Sequence, residues 1–138
     1  MDKIENLIHQ SKQWSFKRII LIDNKYHASI EDGIINWRQL SPNKYLYQET
    51  GKIIFTDNLK TDFNVNQIFL FNQYGYQVFD TNNVLYYQSN KNNKSYNIYH
   101  NKKINVELNL INDIITFKNE IVSPINKKYL AITNYYLK

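Results

Sequence analysis

Trp14-Ser15-Phe16-Lys17-Arg18-Ile19-Ile20-Leu21-Ile22 opens on alternating aromatic and polar residues and ends in a β-branched, apolar run. Successive side chains of an extended chain point to opposite sides, so Trp14, Phe16, Arg18, Ile20 and Ile22 share one face and Ser15, Lys17, Ile19 and Leu21 the other. A period of two in a segment rich in β-branched and aromatic residues predicts a strand. Asp23-Asn24 behind it predicts a turn, because Asp and Asn tolerate left-handed backbone.

The same pattern recurs downstream. Strand-like runs are read at Tyr26–Ile30, Tyr45–Gly51, Lys52–Thr56, Val65–Phe71, Tyr76–Phe79 and Val84–Gln88, then at Ser95–His100, Ile104–Leu110, Ile114–Lys118 and Tyr129–Tyr136. Turn-forming clusters separate them at Asp57-Asn58, Gln73-Tyr74-Gly75, Thr81-Asn82-Asn83, Asn90 to Asn93, Asn101-Lys102 and Asn112-Asp113. Short strands joined by tight turns predict sequential antiparallel pairing, hence an all-β, closed antiparallel up-and-down β-barrel of about eight to ten strands. Closure also removes exposed sheet edges. Only the segments 31–44 and 57–64 are long enough for the crossovers of a Greek-key sandwich. Upstream of Trp14, Ile4, Leu7 and Ile8 recur at helical spacing behind Asp2, a candidate cap, so residues 1–13 predict a short N-terminal helix covering one end of a single domain over 1–138. Asp2 and Glu5 occupy the place of a basic leader segment and no continuous apolar run follows, so a signal peptide is not expected.

Composition excludes several classes. There is no cysteine among the 138 residues, which removes disulfides, thiolate metal sites and a cysteine nucleophile, and the expected compartment is cytoplasmic. Three glycines form no phosphate-binding loop. No long uncharged run predicts a membrane helix. His9, His27 and His100 stand far apart, so no metal is expected, and no cofactor motif is present. The net charge of +5 comes with lysine, asparagine, isoleucine and tyrosine together, a signature of AT-rich codons, and only Arg18 and Arg38 are arginine. Dispersed lysines without arginine forks argue against a nucleic-acid partner.

Arginine scarcity makes Arg18 conspicuous, since it shares a face with Trp14 and Phe16 and a guanidinium there needs a partner. Tyr45, Tyr47 and Glu49 alternate in the same way, so Glu49 is the natural counterion. The pair either fixes register alone or forms, with tyrosine hydroxyls, a site for a carboxylate or phosphate. Glu31 and Asp32, adjacent on a strand, should point to opposite faces.

The segments Trp14-Ser-Phe16-Lys-Arg18-Ile19, Ala28-Ser-Ile30 and Tyr45-Leu-Tyr47-Gln-Glu49-Thr-Gly51 resemble the opening of the uncharacterised lipocalin-like family named domain of unknown function 6314. Val122-Ser123-Pro124, Lys127-Lys128-Tyr129 and Thr133-Asn-Tyr135-Tyr136-Leu-Lys138 resemble its C-terminal pattern, with Ser123 in place of glycine and Lys138 in place of arginine. The resemblance implies a lipocalin/calycin-like barrel and adds weight to Arg18, Tyr47 and Glu49. It implies no activity.

The expectation is therefore a barrel that binds a small acidic or amphipathic molecule in its cavity, with Arg18 pairing an anion, Glu49 orienting Arg18, and Trp14, Phe16, Tyr45 and Tyr47 forming the wall. An enzyme of the barrel-isomerase or lyase kind with Glu49 as general base is one alternative, and a non-enzymatic nucleic-acid or protein interaction module is the other. No residue is assigned a catalytic role, and the sequence leaves the oligomeric state open.

Overall fold

Alternation carries directly into strands. In a computed structural model that describes residues 3–90, 94–112 and 114–137, a helix α1 (Lys3–Gln10) precedes β1 (Gln13–Ile22), β2 (Lys25–Ser41), β3 (Lys44–Phe55), β4 (Lys60–Asn72) and β5 (Gly75–Phe79). They are followed by β6 (Leu85–Asn90), β7 (Lys94–Tyr99), β8 (Lys102–Ile111), β9 (Ile114–Val122) and β10 (Lys128–Leu137). The strands form one antiparallel sheet in the order β6-β5-β4-β3-β2-β1-β10-β9-β8-β7. Every neighbour is sequential except β1 and β10, which pair over their whole length and bring the two ends of the chain together mid-sheet. The fold is an all-β, up-and-down lipocalin-like barrel.

The turns explain the asparagine content. Asp23 and Asn24 have φ of 50° and 65°, and His100 and Asn101 have φ of 48° and 64°. Left-handed backbone at both central residues is what a two-residue hairpin needs to match strand twist. Asn58, Asn83 and Asn126 take the same conformation singly. Of the remaining turn residues named above, 91–93 and Asp113 lie outside the described residues, as do Asp2 and Lys138.

Closure is incomplete in one respect. The sheet's edges, β6 and β7, come side by side, but no backbone ladder joins them among the described residues. Instead the Asn97 amide nitrogen donates to the carbonyls of Leu85, at 3.1 Å, and Tyr86, at 2.8 Å. A side chain does here what ladder hydrogen bonds do elsewhere.

Two sequence expectations are corrected. Tyr45–Gly51 and Lys52–Thr56 form one strand, β3, and the strand read as Tyr26–Ile30 does not end there but continues as β2 to Ser41. The register shifts between Phe16↔Gly33 and Arg18↔Ile30, so β2 holds one extra residue there. That bulge reverses the phase of alternation. Ala28 and Ile30 face inward before it, Gly33, Ile35 and Trp37 after it, and Glu31 and Asp32 are both exposed rather than on opposite faces.

Gly33 is required at this place. A Cβ there would lie 2.2 Å from the Phe16 ring, which packs flat over the bare backbone. The helix is shorter than residues 1–13, and eight residues are too few to be stable alone. Ile4, Leu7 and Ile8 are buried against the end of the barrel where β3 begins, each contributing about 1.5–3 kcal/mol through burial.

Candidate functional site

The barrel contains a cavity of about 220 Å³. Inward-facing positions of several strands supply aromatic wall, chiefly Trp14, Trp37, Phe69, Tyr76, Tyr87 and Phe117. Rings meet edge-on or tilted: Trp14 and Trp37 have centroids 5.2 Å apart, Trp37 and Phe69 4.9 Å, and Tyr87 and Phe117 5.9 Å. Offset and edge-to-face contacts of this kind are the favoured ones.

One side of the cavity is polar, and its centre is Arg18. Its two terminal nitrogens donate to the two oxygens of Glu49 at 2.5 Å and 2.7 Å, and Nε donates to Thr133 Oγ1 at 2.7 Å. The Arg18 guanidinium carbon also stands 4.8 Å from the Phe16 ring centre. Tyr47 donates its hydroxyl proton to Glu49 Oε2. With that proton committed, the 3.2 Å contact between Tyr47 and Tyr135 runs from the Tyr135 hydroxyl to the Tyr47 oxygen. A continuous chain thus leads from Tyr135 through Tyr47 and Glu49 to Arg18 and Thr133.

The electrostatics follow from burial and pairing. Burial would lower the Arg18 pKa, but the hydrogen bonds and charge of Glu49 more than offset it and hold the guanidinium above its ordinary value. Tyr47 and Tyr87 are pushed well above the ordinary phenol value, mainly by burial. Burial raises Tyr86 and Tyr135 too, with Arg18 opposing in both. The lumen hydroxyls therefore remain protonated. Among the described residues, Arg18 and Glu49 are the only arginine, lysine, aspartate or glutamate lining the cavity, and as an ion pair they compensate each other.

Of the six residues singled out from sequence, Trp14, Arg18, Tyr47 and Glu49 line the cavity. The other two do not. Tyr45 is buried under α1, where its hydroxyl donates to Glu5 at 2.9 Å and lies 3.0 Å from His9 Nε2. That bond and burial push its pKa up to about 12, burial being the larger cause. Phe16 lies between Gly33 and Arg18 and supports the guanidinium from behind. Sequence reasoning missed Trp37, whose alternation with Ile35 was a usable signal, and Thr133 and Tyr135, which only the β1–β10 register brings to Arg18. Trp37 Nε1 and Asn119 Oδ1, on two lining residues, are buried without a hydrogen-bond partner. His27 packs edge-on against Phe55, and His100 lies 4.0 Å from Asp80, so the histidines serve three separate places.

No family model matches the chain. No curated protein matches it either. Among solved structures, the chain is similar to the S-type phycobiliprotein lyase CPES from Guillardia theta, with a TM-score of 0.69 and 6% sequence identity over 100% of this chain and 93% of that one. At that identity the likeness establishes the fold. No helix among the described residues is long and apolar enough to cross a membrane.

Proposed function

We propose that the barrel binds one small amphipathic molecule, largely aromatic or apolar, in its cavity. The observation that carries this reading is a 220 Å³ space walled by aromatic rings and bordered by a single compensated polar cluster. Pockets that combine apolar wall with a few convergent polar groups are the usual form of a small-molecule site. The volume exceeds the ~150 Å³ that admits benzene and falls short of the ~300 Å³ typical of drug-sized ligands, which suits one or two fused rings. Similarity to a lyase barrel supports a container of this shape. The resemblance to domain of unknown function 6314 adds weight to Arg18, Tyr47 and Glu49 and is itself part of the proposal.

The geometry favours binding over base catalysis by Glu49. Three strong hydrogen bonds from Arg18 and Tyr47 occupy Glu49, two on Oε2 and one on Oε1, so a substrate proton would have to compete for the one acceptor site left on a carboxylate already held by its counterion.

A thermal-shift screen of small aromatic amphiphiles tests the reading. A compound present at a hundred times its Kd should raise Tm by about 5–10 °C. Ala131→Phe, which fills the cavity from its β10 wall, should abolish the shift. A screen in which no compound stabilises the wild-type protein, or in which the shift survives Ala131→Phe, would overturn it.

A further inference from the structure

We infer that the cavity selects uncharged ligands and that Glu49 sets this preference by occupying the Arg18 fork. The inference rests on the proposed binding function and names the chemical class that the same site takes.

A guanidinium recognises a carboxylate or phosphate by offering two parallel N–H donors. In this protein both terminal nitrogens of Arg18 already do so, toward Glu49, while Nε is held by Thr133. An incoming anion must either approach a compensated pair or displace Glu49. In the first case it loses its hydration shell and gains no unpaired positive charge in return. In the second it strands the Glu49 carboxylate, only 3% exposed, next to its own negative charge. Tyr47 holds Glu49 from the other side and resists that displacement.

A cation meets the converse obstacle, because Glu49 is likewise spent. No other charged residue among the described ones lines the cavity. What the lumen offers is neutral hydrogen-bonding capacity, from the protonated tyrosines at positions 86 and 87, the acceptor oxygen of Tyr135 and the amides of Gln67 and Asn119, set among aromatic rings. A planar, uncharged aromatic molecule with a carbonyl, hydroxyl or amide group matches that inventory.

Three probes sharing one ring system isolate charge from shape: 2-naphthamide, 2-naphthoate and 2-naphthylmethylammonium, titrated by calorimetry. The wild-type protein should bind the amide at least tenfold tighter than either ion. Glu49→Gln, which frees the guanidinium, should tighten 2-naphthoate at least tenfold, and Arg18→Gln should do the same for the ammonium. Equal or tighter wild-type binding of either ion overturns the neutral preference while leaving the barrel a binding protein. Folded single variants that keep the wild-type ranking overturn the role of Glu49. Where a single variant fails to fold, Arg18→Met/Glu49→Met removes both charges together. It must retain the amide and gain neither ion, and a gain of either overturns the assignment. Wild-type protein that binds none of the three, and that no amphiphile stabilises in the thermal screen, removes the binding function itself.

Discussion

Arg18 and Glu49 meet end-on across a strand that lies between them. Arg18 is on β1 and Glu49 on β3, while β2 runs between the two and pairs with both, Ile30 opposite Arg18 and Ile35 opposite Glu49. The extra residue of β2 falls in that interval, where Gly33 presents no side chain and Glu31 and Asp32 turn outward. The bulge leaves room for the ion pair to bridge over the strand. Arg18→Met should then destabilise the fold by about 3–5 kcal/mol, because it leaves a buried carboxylate without its counterion. Arg18→Met/Glu49→Met should recover much of that loss, giving a coupling of about 2–3 kcal/mol in a urea-unfolding double-mutant cycle. Additive single losses would show that the two side chains do not act as a unit.

Gly33→Ala places a methyl group inside the space held by the Phe16 ring. Expected destabilisation is about 1–3 kcal/mol, the usual cost of overpacking a close-packed interior. Phe16→Leu in the same protein should relieve part of it, and denaturant midpoints of the four combinations measure both effects.

These two sites also show how far the sequence could be read. The strand faces of Trp14–Ile22 and Tyr45–Glu49 followed from alternation alone, and the Arg18–Glu49 pair followed from placing a lone arginine and a lone glutamate on apolar faces. The second half of β2 stayed hidden because the bulge shifts its phase, so Ile30 and Ile35 both point inward although positions of opposite parity face opposite ways on an unbroken strand. Thr133 and Tyr135 were hidden for a different reason: register between the first and last strands is a property of the assembled sheet. Tyr45 shares a strand face with Tyr47, yet two residues along a strand move a side chain by about 6.6 Å, enough to carry it from the lumen to the helix.

Asn97 is the latch of the β6–β7 seam. Asn97→Ala should leave the Leu85 and Tyr86 carbonyls without their donor, costing about 1–3 kcal/mol. Amide hydrogen exchange locates the effect. Protection should fall in β6 and β7 and persist in β1 and β10, which are laddered on both sides. Uniform loss across the barrel would mean that the seam is not a separate opening unit.

Alkaline conditions should destabilise the protein progressively between pH 10 and 12. Tyr45 and Tyr99 have pKa values of about 12 in the fold, against an ordinary 10.0, raised chiefly by burial in the first and by the hydrogen bond to Asp80 in the second. A phenol whose pKa is raised by folding contributes stability that is complete below its unfolded pKa and is lost as the pH rises through the folded one. Tyr47, Tyr86, Tyr87 and Tyr135 shift in the same direction. Denaturant midpoints across that range should therefore decline steadily, and Tyr45→Phe should make the decline shallower.

The pairing of β1 with β10 sets the order in which the polar cluster can be completed. Glu49 is 31 residues from Arg18 in sequence, and Thr133 is 115 residues away. As the chain leaves the ribosome, the ion pair can form once three strands exist, while one edge of β1 still lacks a neighbour. Thr133 and Tyr135 come only with β10, so the guanidinium gains its third acceptor and Tyr47 its hydroxyl donor in the step that joins the chain's two ends. Such long-range closure is slow compared with hairpin formation. The cavity's polar wall is thereby a record of finished folding, and a nascent chain short of β10 holds the charges of the site without the hydroxyls that complete it.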